Sequence, residues 1–190
     1  MRRTAAETRE HILEVASRLF YWQGIRATGV DKIAAAAGVS PNVLYRAFTT
    51  KDDLIAAYIA RSRAVEEERF TAAVAAAGPS PEARILAVFD TLADSIRPNV
   101  FRGCSCMMAM AEFPDPGLPV HRGAVGAKEW VRERFGELAE QLGAADPKTL
   151  ADQLSIIWEG TISTAQALGA DGPPASTRPL VTAILAQHTR

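Results

Sequence analysis

The chain has 190 residues, with 21 Lys and Arg against 22 Asp and Glu and a formal net charge of −1. A chain of that length buries roughly 70% of its unfolded surface and needs no disulfide or metal staple, and the even charge balance excludes a wholly basic nucleic-acid clamp. No stretch approaches the ~18 apolar residues of a membrane helix, and Cys104 and Cys106 lie too close in sequence for a strain-free bridge, so a cytoplasmic protein with no membrane partner is expected.

The charge is unevenly spread. Residues 1–63 hold ten Lys and Arg against six Asp and Glu, a net of +4, and residues 64–190 hold eleven against sixteen, a net of −5. A basic N-terminal part on an acidic remainder fits a separate nucleic-acid module. The first residues carry no apolar run, so a secretory leader is not expected.

Helix signals dominate the whole length, because apolar residues recur at three and four and β-branched clusters are few. Ile12, Val15, Ala16, Leu19 and Phe20 form one stripe of a first helix, with Thr4 or Thr8 as its cap and Gly24 at its end. Thr28 with Asp31 reads as a capping box opening a second helix, on which Ile33, Ala34 and Ala37 face inward and which Gly38 closes. Ser40 caps a third helix and Pro41 takes its first position, where a missing N–H does no harm. Leu44, Ala47 and Phe48 make its buried side. Thr50 caps a fourth helix reaching about residue 77, with Asp52 and Asp53 in the first turn, where the helix dipole favours acids.

After the break at Gly78-Pro-Ser-Pro81, helices are expected over 81–97, 104–113, 120–142, 147–168 and 177–187, separated by Pro- and Gly-rich turns. The fold class is therefore all-α. Three helices over residues 1–49 are expected to join, through the helix 50–77, further helices that fill the rest of residues 50–190.

Residues 28–54 have the order of a helix-turn-helix, whose second helix enters the major groove of DNA. Ala34 and Gly38 sit where two helices cross closely, Val39 plugs the turn, and Leu44 fixes the second helix to the core. With Leu44, Ala47 and Phe48 inside, Pro41, Asn42, Val43, Tyr45 and Arg46 point outward behind Ser40. Asn42 suits adenine and Arg46 suits guanine through bidentate contacts, and Val43 offers methyls to a thymine. Tyr45, Thr28 and Lys51 are expected on phosphate oxygens.

The run Thr28…Ile33-Ala34…Ala37-Gly38-Val39-Ser40…Leu44-Tyr45…Phe48…Lys51…Leu54 resembles the N-terminal domain of the TetR family of transcriptional regulators, as does Leu19-Phe20-Tyr21-Trp22-Gln23-Gly24 before it. Pro41-Asn42-Val43 departs from the Lys-Gly-Thr type of triplet frequent there, and so leaves the operator sequence open. The resemblance implies a homodimer, a three-helix DNA-binding domain over residues 1–49, the helix 50–77 as a linker, and a helical domain over 50–190 for effector binding and dimerisation. The function implied is that of a repressor bound to a near-palindromic double-stranded DNA operator and released by a small, largely apolar effector. Such a dimer would set its recognition helices about one DNA turn apart, ~34–36 Å.

Beyond residue 60 the residues are read on their own terms. Cys106, Met107 and Met110 are soft and adaptable, and with Phe89, Phe113, Trp130 and Trp158 they are the expected lining of an effector pocket. On residues alone, ordinary core is the better reading for any single one of them. Glu112 and Glu159 stand alone in apolar surroundings, so each is expected to find a partner, reach solvent or meet a cationic effector group. The helix carrying Leu154, Ile157, Thr161 and Ala165 is apolar nearly all round, and Leu180, Val181, Ile184 and Leu185 follow on the last helix. A two-fold four-helix interface is expected to cover both. Cys106 with Cys104 as a resolving thiol offers a thiol-based redox-sensing alternative, but the apolar surroundings favour buried structural thiols. A ligand-independent DNA-binding protein is the other alternative. His11, His121 and His188 are isolated, and no metal-ligand spacing, nucleophile elbow, phosphate loop or dinucleotide fingerprint occurs, so neither an enzyme, a cofactor nor a metal is expected.

Overall fold

The computed structural model describes residues 3–188 and contains nine α-helices and no strand among them. They are α1 (Ala5–Gln23), α2 (Val30–Ala37), α3 (Pro41–Ala47), α4 (Lys51–Ala76), α5 (Pro81–Ser95), α6 (Ser105–Glu112), α7 (Pro119–Leu142), α8 (Pro147–Leu168) and α9 (Thr177–His188). A single 3-10 turn, Pro173–Ser176, leads into α9.

Contacts divide the chain into two compact units, Met1–Arg63 with Ser105–Val125, and Ala64–Cys104 with Gly126–Arg190. The expected boundary at 49/50 is therefore displaced. The N-terminal unit takes in the first half of α4 and also α6, because bonds spanning more than 80 residues of sequence tie α6 to the turn after α1.

In the N-terminal unit the caps are local and chemical. Thr4 and Glu7 close a full capping box on α1. Thr50 and Asp53 exchange reciprocal backbone-to-side-chain bonds of 2.9 and 3.0 Å at the start of α4. The core is built from Ile12, Val15, Ala16 and Phe20 of α1, Ile33, Ala34 and Ala37 of α2, Leu44 and Phe48 around α3, and Leu54, Ile55, Tyr58 and Ile59 of α4, all buried.

The second unit has its own core. Phe70, Phe89, Phe135 and Trp158 interlock with ring centroids 5.3–6.3 Å apart, and Phe89 stacks on Phe135. Burial of such rings dominates core energetics, with a further gain of roughly 0.5–1.5 kcal/mol per well-placed pair. Ile85, Leu150, Leu154, Val181 and Leu185 complete this cluster.

That packing corrects the expected dimer surface. Leu154, Ile157, Thr161, Ala165, Val181 and Leu185 are buried inside a single chain. Helix α8 looked apolar on all sides because α9 and the 3-10 turn of its own unit cover much of it. Ile184 is half-buried. Of the expected interface residues only Leu180 is substantially exposed, and the large apolar residues exposed on α8 are Ile156 and Leu168, at 71% and 65%. No helix among the described residues is long and apolar enough to cross a membrane.

Candidate nucleic-acid interface

The turn between α2 and α3 is set by its backbone. Gly38 takes the left-handed conformation (φ 66°, ψ 33°), which costs glycine nothing and a side-chain residue about 1 kcal/mol or more. The amides of Gly38 and Val39 then close onto the carbonyls of Ala35 and Ala34, at 3.1 and 3.0 Å. Ser40 Oγ accepts the Val43 N–H and Pro41 occupies the first helical position, so α3 starts where the turn ends.

The two faces of α3 then separate. Leu44 is fully buried and Phe48 nearly so. The Arg9 guanidinium lies 4.3 Å from the centre of the Phe48 ring, and His11 Nε2 bonds the Ala37 carbonyl at 3.0 Å. Sequence reasoning missed both supports, which no local pattern marks. Ser40, Pro41, Asn42, Tyr45 and Arg46 are exposed and Val43 is half-buried. One helix thus presents an amide, a phenol and a guanidinium in two turns.

Two expected phosphate contacts are placed differently. Thr28 is completely buried, and its hydroxyl donates to the Gly24 carbonyl at 2.7 Å. Gly29 takes the N-cap position of α2 with no side-chain cap, so the expected capping box of Thr28 and Asp31 is absent. A threonine hydroxyl that can close its own turn competes well with the helix end. Lys51 donates through Nζ to the Ile25 carbonyl at 2.9 Å, pinning the same turn from the other side.

The turn is also held from α6. Glu112 accepts the Ile25 N–H (2.9 Å) and the Arg26 N–H (2.7 Å) on its two carboxylate oxygens. Arg26 returns a bond from Nε to the Glu112 carbonyl (2.8 Å) and places its guanidinium 4.9 Å from the centre of the Phe113 ring. His121 Nδ1 bonds the Phe113 carbonyl at 2.8 Å. The isolation of Glu112 in the sequence signalled a need for partners. The structure supplies backbone amides, where a cationic effector group was one expectation.

The expected pocket residues fall into both units. Cys106, Met107, Met110, Glu112 and Phe113 belong to the unit containing α1 to α3, with Cys106 buried and Met107 half exposed. Phe89, Trp130, Trp158 and Glu159 belong to the other. Phe89 and Trp158 are core, at 1% and 3% exposure, and Trp130 packs edge-on against Phe70. Glu159 is ion-paired with Lys128. Within this unit a small cleft is lined by Glu66, Arg69, Phe70, Val88, Thr91, Leu92, Ser95 and Trp158. Burial pushes the Glu66 carboxyl above its ordinary value, against the pull of Arg69.

A short exposed helix with an Asn, a Tyr and an Arg outward, locked at a glycine turn to a second helix, defines a helix-turn-helix DNA-binding protein. Residues 12–58 match the family model described as bacterial regulatory proteins, tetR family. The chain is 36% identical over 160 residues to the HTH-type transcriptional repressor BepR of Brucella suis, covering 76% of each protein. It is 27% identical over 164 residues to the regulator YjdC of Escherichia coli, covering 82% of this chain and 81% of that one. The TetR-family regulator SCO4454 of Streptomyces coelicolor superposes with a TM-score of 0.92 at 31% identity over 97% of both chains. The chain belongs to the TetR family of transcriptional regulators.

Proposed function

We propose that the protein is a ligand-responsive repressor that binds a near-palindromic operator as a homodimer and leaves it when a small effector binds the second unit. The observation that carries this reading is the exposed set Asn42, Tyr45 and Arg46 on a helix whose other face is fully buried. Side chains so presented are held in register for base edges and phosphates at little cost in order. Repression is supported by the kinship with BepR, named as a repressor. Pairing of two chains is supported by Ile156, Leu168 and Leu180, large apolar side chains exposed on α8 and α9. Response to a largely apolar effector is supported by the cleft among Phe70, Val88, Leu92 and Trp158.

The effector would act by population shift, favouring one arrangement of the helices and so changing operator affinity by its differential binding. Fluorescence anisotropy on DNA from the protein's own promoter region, with sedimentation of the complex, tests the reading. Two chains per site, nanomolar to tens of nanomolar affinity, and loss of that affinity in Arg46→Ala are expected. One chain per site, or no preference over scrambled DNA, would defeat it. Ile156→Asp should shift the free protein toward monomer; an unchanged dimer would remove α8 from the interface.

A further inference from the structure

We propose that Arg9, which lies outside the helix-turn-helix, is a further DNA contact whose guanidinium binds a backbone phosphate beside the C-terminal end of α3. This role rests on the DNA-binding part of the reading above. Phosphate contacts supply most of the affinity for DNA and fix the register of the reading helix. In this unit two groups suited to that task are turned to internal carbonyls, the Thr28 hydroxyl to Gly24 and the Lys51 ammonium to Ile25. Arg26 is bonded to the Glu112 carbonyl and Arg61 is paired with Glu10.

Arg9 is placed differently. Its Cζ lies 4.3 Å from the centre of the Phe48 ring, and Phe48 is the residue that closes the C-terminal end of α3. Phe48 is buried whereas Arg9 is exposed, so the ring carries the cation at the surface next to the turn that holds Arg46. Two residues further along α1, His11 bonds the carbonyl of Ala37, the last residue of α2. The start of α1 is thereby fixed to the ends of both helices of the motif, and Arg9 keeps its place beside α3.

The ring holds the cation through its electron-rich face and consumes none of its N–H donors. A guanidinium has five of them, in a fork that fits phosphate oxygens. No acid competes for that fork. One turn away on α1 stand Ala5, Ala6, Ile12 and Leu13. Glu7 is bonded into the Thr4 cap, Glu10 is paired with Arg61, and Arg9 makes no ion pair among the described residues. A side chain already settled on a ring also gives up less rotamer freedom when it meets its partner. The contact is to the DNA backbone, so it adds affinity for any duplex and reads no base, in contrast to Arg46.

Fluorescence anisotropy of the full chain on promoter DNA and on scrambled DNA, each across a salt series, tests the role. Arg9→Gln should weaken binding to both duplexes by the same factor, roughly tenfold, and leave the preference between them as in the wild type. It should also reduce the slope of log K against log salt by about one unit per bound chain. Arg9→Met keeps an apolar stem on the Phe48 ring; it should behave as Arg9→Gln does, and it decides if the glutamine variant fails to fold. Arg9→Lys keeps the charge and should keep the slope. Unchanged affinity, or weaker binding with the wild-type slope, or a lost preference for promoter DNA would make Arg9 at most a support for Phe48 and overturn the proposal. A wild-type chain that showed no preference for promoter DNA would defeat the regulator reading, and the slope on scrambled DNA would still decide the role of Arg9.

Discussion

Helix α3 and the Lys128 cluster handle polar groups in opposite ways. On α3, Asn42, Tyr45 and Arg46 face solvent while Leu44 beneath them is fully buried. In the second unit, Lys128 and Glu159 are part-buried and bond each other, and Lys128 also bonds Cys104. The first arrangement costs little and leaves bonding capacity for a partner. The second must recover desolvation through fixed geometry. Substitutions on the outside of α3 should therefore change DNA affinity and leave folding alone, and substitutions in the Lys128 cluster should do the reverse.

The largest departure from that rule is expected beneath α3. Leu44→Ala removes a fully buried side chain and should cost about 2–5 kcal/mol of stability, read by urea unfolding, with operator binding lost as a consequence. A variant that stayed as stable as the parent would show that the outward face does not depend on this anchor. Arg46→Ala should weaken operator binding by about 1–3 kcal/mol and relax base preference at one position, with the melting temperature unchanged. A fall in melting temperature instead would place Arg46 in the fold rather than on the DNA.

Glu112→Gln sits between the two cases. Its bonds to Ile25 and Arg26 lose their charge, at a cost of about 1 kcal/mol. Amide exchange at those two residues should speed up and operator affinity should drop modestly. Exchange as slow as in the parent would mean that the other contacts hold the turn alone.

Glu66→Gln should give the smallest effect, confined to stability. The folded-state pKa of Glu66 is raised above its ordinary 4.5 by burial first, so the folded chain holds the proton longer than the unfolded one. That contribution is present below the ordinary pKa and is lost as pH rises through the folded value. At neutral pH the glutamine variant should melt about 1–3 °C higher, and the gap should close as the pH falls toward 4.5. A gap that widened in acid would reverse the sign of the burial argument.

What was legible in the sequence was mostly local. A threonine cap at the start of α1, the Ser40-Pro41 start of α3, the Thr50 cap and the left-handed stop at Gly38 all announce themselves within a few residues. What was not legible is long-range. Glu112 and Arg26 lie 86 residues apart, and Lys51 reaches back 26 residues to Ile25, with no periodicity to announce either. Thr28 looked like a cap because its spacing to Asp31 fits one, yet its hydroxyl had a nearer carbonyl at Gly24. Helix α8 looked like an interface because a sequence shows how apolar a helix is, and only the fold shows which of its faces α9 already covers.

The clasp between Glu112 and the Ile25-Arg26 turn bears on how this protein can be cut and recombined. A DNA-reading fragment ending at residue 63 would carry two amides whose acceptor was left behind, and Gly24 (φ +90°) would lose the carboxylate that lies where a side chain on it would otherwise point. A hybrid regulator joined within α4 would inherit the same defect unless the donor of its second half supplied an acid at the matching place. The transferable cassette is therefore discontinuous: residues 1–63 together with 105–125.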